Sequence, residues 1–184
     1  AGYQYMSSVA ALADGGFVIA YGSDSPNQID DVVTFQRFDH AGNKIGWETP
    51  IGGQPIGFAY GIKAVGLHDG NFIIGYTHEV TSTPGSNDIP AGIYAQEFLP
   101  DGTSLGSFAQ YYAPGSDGLA FAVLDSGRIV GTWTDYTSQE NPSTSDRIGI
   151  WMQLGDPLKL LFGTEQGETL TATRTRSGQC AASA

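Results

Sequence analysis

Three groupings of residues in this 184-residue chain could do chemistry, and each points to a different kind. The first is acidic. The polar stretches GSDSPNQIDD (22–31), HEVTSTPGSNDIPAG (78–92) and DYTSQENPSTSD (135–146) hold 8 of the 19 acids. Hard oxygen ligands on loops are what calcium takes, so Asp24, Asp30, Asp31, Asp135 and Asp146 are the candidate calcium ligands. No D-x-[DN]-x-[DN]-G loop accompanies them, and plain solvation accounts for acidic Ser/Pro-rich loops as well. The second grouping is GTSLG (102–106), which matches the G-x-S-x-G elbow of hydrolases. That elbow needs a strand, a sharp turn and a helix. Here the stretch runs from a hairpin turn into another strand, so Ser104 is a coincidental match. The third is the set His40, His68 and His78, which lacks the H-x-x-x-H and H-E-x-x-H spacings of zinc sites. Solvated turn positions are expected for all three.

Polysaccharide hydrolysis would need two carboxylates roughly 5–10 Å apart, a separation that spacing along the chain does not define. Cys180 is the sole cysteine, so no internal disulfide forms. An activated thiol needs an electropositive niche, and the expectation for Cys180 is an inert residue in a terminal tail.

The elements that hold these residues come from a repeat. LADGGFVIAY (12–21), LHDGNFIIGY (67–76) and LDSGRIVGTW (124–133) align on Tyr21, Tyr76 and Trp133. A second block follows in each unit: VVTFQRFDHAGNKIG (32–46), GIYAQEFLPDGTSLG (92–106) and the divergent GIWMQLGDPLKLLFG (149–163). These define repeats over about residues 6–57, 58–115 and 116–167, with 168–184 left as a C-terminal strand or tail. Asp14-Gly15, Asp69-Gly70, Gly42-Asn43 and Asp101-Gly102 are hairpin turns between apolar runs. Asp14 and Asp69, with Ser126 in the third copy, are turn residues that bond their own backbone. Gln36, Gln96 and Gln153 recur in the second block and are expected to bond backbone in each unit. No segment carries helical periodicity, so the chain is all-β with about twelve strands.

Phe17–Tyr21 and Phe72–Tyr76 are apolar on both faces, as in strands covered on both sides. The strands before them are built from small residues (Ser8, Ala10, Ala11; Ala64, Val65, Gly66; Ala120, Ala122), which let backbones approach closely. Four-stranded sheets stacked around an axis need both properties, so each unit reads as a propeller blade. A β-trefoil, also three units of four strands, is the alternative. Three blades fall short of the four to eight that close a ring. The blade reading therefore expects self-association or a longer parent chain.

Composition limits the partners. With 8 basic residues against 19 acidic ones, the net charge is −11. That field repels nucleic acid and anionic membranes, and no apolar run is long enough to span a bilayer. Calcium and neutral ligands such as glycans remain. The chain opens on Ala1 without a signal-peptide pattern, as a processed chain or a piece of a longer one would.

The blocks LADGGFVIAY, VVTFQRFDHAGNKIG and IYAQEFLPDGTSLG resemble a tandem β-repeat of large secreted bacterial proteins, the haemolysin-type calcium-binding proteins and surface adhesins. The resemblance covers the first two units and thins out in the third. It implies export, an extracellular or cell-surface setting and propeller-like architecture. The glycine-aspartate nonapeptides that bind calcium in such proteins are absent here. The expected function is a non-enzymatic repeat domain for surface binding or assembly. A sugar-binding lectin-like domain and, third, a polysaccharide-acting enzyme are the alternatives.

Overall fold

The computed structural model describes residues 4–24, 31–51, 58–79, 91–111, 117–135, 149–155, 168–174 and 180–182. Among them are thirteen strands and no helix. The first sheet is β1 (Gln4–Ala11), β2 (Phe17–Asp24), β3 (Asp31–Phe38) and β4 (Lys44–Pro50), antiparallel in chain order. The second is β5 (Phe58–Gly66), β6 (Phe72–Glu79), β7 (Gly92–Phe98) and β8 (Ser104–Tyr111), built the same way. The third comprises β9 (Asp117–Val123), β10 (Ile129–Asp135), β11 (Gly149–Gly155), β12 (Glu168–Arg174) and β13 (Cys180–Ala182). The segment that could be a strand or a tail thus contributes two strands: β12 pairs with β11, and β13, with Cys180, pairs with β12. A β-trefoil closes its barrel with hydrogen bonds between units, whereas no described strand here pairs with a strand of another sheet.

Turn chemistry explains why the strands reverse where they do. Gly15 N donates to Leu12 O at 3.0 Å and Leu12 N to Gly16 O at 2.9 Å, closing a three-residue loop. The same pair of bonds recurs at Leu67–Asn71 and Leu124–Arg128, and in the second hairpins at Asp39–Asn43 and Leu99–Thr103. Such a loop ends on a residue in the left-handed region, and Gly15 and Gly70 sit at φ 84° and 94°. Asp14 Oδ1 accepts from Gly16 N at 2.9 Å and Asp69 Oδ1 from Asn71 N at 3.0 Å, the local bonding expected of Asp in a turn.

Register carries the sequence repeat into space. Ala20 faces Phe35 across β2–β3, Gly75 faces Ala95 across β6–β7, and Thr132 faces Met152 across β10–β11, all at equivalent repeat positions. The recurring glutamine marks an irregularity. The β3–β4 ladder shifts register between Phe35 and Arg37, and the β7–β8 ladder between Ala95 and Glu97. Gln36 Nε2 spans its gap by donating to Arg37 O at 2.9 Å and Ile45 O at 3.0 Å. Gln96 does the same to Glu97 O and Leu105 O. The amide thus satisfies carbonyls that a broken ladder leaves over.

The sheets pack face to face. Val18, Ala20, Val33 and Phe35 of the first form one apolar cluster with Phe72, Ile74, Tyr76 and Phe98 of the second. The opposite face of the second sheet, through Ile73, Val65, Ala95 and Ile93, packs on Ile129, Phe121, Leu119 and Trp133 of the third. The middle sheet is therefore covered on both sides, and β6 is buried from Phe72 through His78.

Candidate functional site

The three first strands lie side by side and run in the same direction. A Cβ at Gly66, the end of β5, would fall on the Ala11 carbonyl oxygen at the end of β1, and Ser8 Oγ accepts from Ala64 N at 3.0 Å. At the other end a Cβ at Gly61 would lie 3.8 Å from Leu119 Cβ of β9. The starts of β1, β5 and β9 therefore share one end of the molecule. Antiparallel pairing brings the ends of β2 and β6 to the same place, with Gln4 opposite Ser23 and Phe58 opposite Glu79. The end of β10 arrives there too, with Thr134 opposite Asp117.

A bulge recurs at this end. The β1–β2 register shifts between Tyr5 and Ser8, and the β5–β6 register between Tyr60 and Lys63. The backbone takes positive φ at Met6 (51°), Gly61 (62°) and Gly118 (70°), which are equivalent repeat positions. Met6 is the one non-glycine with positive φ among the described residues. A bulge bends its strand and re-aims the neighbouring side chain, and the residues immediately before it are Tyr5, Tyr60 and Asp117. Both tyrosines are half-buried and Asp117 is exposed.

Behind this rim lies an aromatic stack. Tyr76 and Tyr94 are cross-strand partners with rings 5.5 Å apart and nearly parallel. His78 meets Tyr94 edge-on at 6.1 Å. His78 is only 1% exposed, which corrects the expectation of a solvated turn residue. It lies in β6, within the strand that neighbouring sheets cover on both sides, whereas His40 and His68 are exposed in turns as expected. Burial pushes the Tyr94 hydroxyl up to about 12 and the Tyr76 hydroxyl further up. Both stay neutral donors at physiological pH, suited to hydrogen bonding and not to proton transfer.

The candidate calcium ligands are only partly placed. The backbones of Asp24 and Asp31 are register partners at the close of β2–β3, and Asp135 stands opposite Gly149 in β10–β11, at the repeat position of Ser23. Asp30 and Asp146 lie outside the described residues. Among the described residues no group of three or more His, Cys, Asp or Glu could hold a metal ion. Ser104 opens β8, so the G-x-S-x-G match leads into a strand with no helix behind it.

Two polar features escaped the sequence. Glu97, where the first unit has Arg37, is 1% exposed and accepts from Asn71 Nδ2 at 2.7 Å. On the far face of the first sheet, a cleft of about 540 Å³ is lined by Tyr5, Ile19, Tyr21, Phe38, Lys44 and Glu48 among others. Burial, then the Glu48 carboxylate and a hydrogen bond to it, push the Tyr21 hydroxyl up to about 12. Lys44 Nζ stands 3.3 Å from Glu48 Oε1.

No family model matches the chain, and no curated protein does. Solved structures do. A protein of unknown function from Dyadobacter fermentans superposes with TM-score 0.59 at 14% identity, over 86% of this chain and 53% of its own. An endo-arabinase from Bacteroides thetaiotaomicron superposes with TM-score 0.51 at 16% identity, over 96% of this chain and 68% of its own. This chain thus spans about half the length of the first and about two thirds of the second. At such identities the likeness is one of fold, all-β with antiparallel four-stranded sheets.

Proposed function

We propose that the chain is a propeller-blade-like binding module that takes a neutral carbohydrate at the end where β1, β5 and β9 begin. The bulge repeated at Met6, Gly61 and Gly118 carries this reading, because it sets Tyr5, Tyr60 and Asp117 at the same end on three adjacent strands. Aromatic rings beside a carboxylate suit a sugar, whose apolar face stacks while its hydroxyls donate. A net charge of −11 disfavours anionic ligands and leaves neutral ones. The surface-adhesin resemblance, and its extracellular setting, belong to the same proposal. The endo-arabinase superposition supports the choice of arabinan as first probe.

Affinity electrophoresis in gels containing arabinan, xylan or β-glucan tests it. Retardation by at least one, lost in Tyr60→Ala and kept in Tyr60→Phe, is the expected result. Release of reducing ends from the polysaccharide would move the reading to a hydrolase. Identical mobility in every gel would remove the carbohydrate.

A further inference from the structure

The sheets stack with a direction. Each has a front, the face toward the next sheet, and a back. The front of the first sheet is buried on the back of the second, and the front of the second on the back of the third. Among the described sheets two faces are left over: the back of the first and the front of the third.

The spare back has the composition of a buried one. Val9, Phe17, Ile19, Tyr21, Gln36 and Phe38 occupy the repeat positions of Ala64, Phe72, Ile74, Tyr76, Gln96 and Phe98. In the second sheet Phe72 and Ile74 are fully buried and Ala64 packs against the same cluster. In the first sheet Val9 is 65% exposed, and Ile19, Tyr21 and Phe38 line the open cleft. The charges there answer each other, since Lys44 and Glu48 pair at 3.3 Å, so covering the face strands no lone ion.

The spare front matches in the same way. Ala120, Ala122, Val130 and Thr132 stand where the first sheet has Ser8, Ala10, Val18 and Ala20. The first sheet buries Ala10, Val18 and Ala20 under its neighbour, while Ala120 and Ala122 are exposed. Register sets Met152 opposite Thr132 and Ile150 opposite Thr134, as Phe35 stands opposite Ala20 and Val33 opposite Gly22. Each leftover face thus repeats one half of an interface that the chain already makes twice within itself.

We propose that the back of the first sheet receives the front of the third sheet of a second copy, stacking chains head to tail. The occupant follows from continuity with the internal stack: every back in the molecule that is covered is covered by a front. Back-to-back pairing has no counterpart among the described sheets. In the first strands the contacts differ from the first internal seam at three positions: Ala120 replaces Ser8, whose hydroxyl accepts from Ala64 N, and on the back Val9 and Ala11 replace Ala64 and Gly66, the latter as Val123 does on the back of the third sheet. The new seam is more apolar there.

Sedimentation velocity on the intact chain, from micromolar to hundred-micromolar concentration, reads the outcome. Twice the 19.4 kDa chain mass, or a higher multiple, is expected. Val9→Glu and Ala122→Glu each place a charge at an exposed position on one of the two faces, where the fold itself tolerates it, and circular dichroism checks that it does. Each variant alone should be monomeric, and an equimolar mixture should form a one-to-one complex through its intact back and intact front. A wild-type chain that stays at 19.4 kDa throughout would overturn the proposal. So would an Ala122→Glu variant that still dimerises while Val9→Glu does not, which is the signature of back-to-back pairing.

Discussion

Gly15 and Gly70 occupy the same turn position, but their surroundings differ. Both need the left-handed region, where a Cβ costs on the order of 1–2 kcal/mol. A Cβ at Gly15 would come no nearer than 4.0 Å to His40 Cβ, whereas at Gly70 it would meet Pro100 Cγ at 3.3 Å. Gly15→Ala is therefore expected to destabilise by about 1 kcal/mol and Gly70→Ala by more, read as a lowered urea midpoint at unchanged slope. Met6 inverts the comparison. It holds φ 51° where the other two repeats have glycine, so Met6→Gly should raise stability by up to about 1 kcal/mol. Gly61→Met should be clearly destabilising, because φ there is 62° and Thr77 Oγ1 lies 3.3 Å from the added Cβ. Equal effects at both positions would refute a shared bulge.

Single elements add a pH dependence and a ladder defect. Asp39 Oδ1 accepts from Ala41 N and Asn43 N in the β3–β4 turn, and Asp101 Oδ1 accepts from Thr103 N in the β7–β8 turn. Bonding to Asn43 lowers the Asp39 carboxyl below its ordinary 3.8, and bonding to Thr103 lowers Asp101 likewise. A lowered folded value means that the stabilisation is complete above the unfolded value, near pH 4, and is lost as pH falls through the folded one. The double variant Asp39→Asn, Asp101→Asn should flatten the acid limb of a melting-temperature profile below pH 4 and leave the profile near pH 7 unsloped. Gln36 and Gln96 mend the ladder at its register shifts. Gln36→Ala and Gln96→Ala should each cost about 1–3 kcal/mol, since either leaves carbonyls without their amide donor. An effect within error at both would mean that water replaces the amide freely.

Across the whole molecule, stability resides in the seams between sheets. The tightest described approach is between β1 and β5, where Gly66 leaves no room for a methyl beside the Ala11 carbonyl oxygen. That obstacle is backbone and cannot rotate away, so Gly66→Ala should be among the most damaging small substitutions, at 1–3 kcal/mol or above. Head-to-tail stacking adds a second signature, because a partner that binds only the folded chain raises its melting temperature with concentration. The wild-type melting temperature is expected to rise from micromolar to hundred-micromolar protein, and that of Val9→Glu to stay flat.

Local chemistry was readable from the residues because turns and strands are decided by neighbours in the chain. The all-β class, the Asp-Gly hairpins and the backbone-bonding role of Gln36 and Gln96 follow from periods and dipeptides that act within a few positions. The small residues of the first strands announced the close approach that Gly66 makes to Ala11. Facts that depend on a neighbouring sheet could not be read this way. His78 looked like a loop residue and is buried because the middle sheet is covered on both sides. Glu97 is buried beside Asn71, 26 positions away, and no spacing rule connects the two. The recurring bulge was invisible because its positive φ falls on Met6 in one unit and on glycine in the others. Only stacking could reveal that Val9 and Ala122 lie on two open and matching faces, since burial belongs to the surface brought against a residue and not to the residue itself.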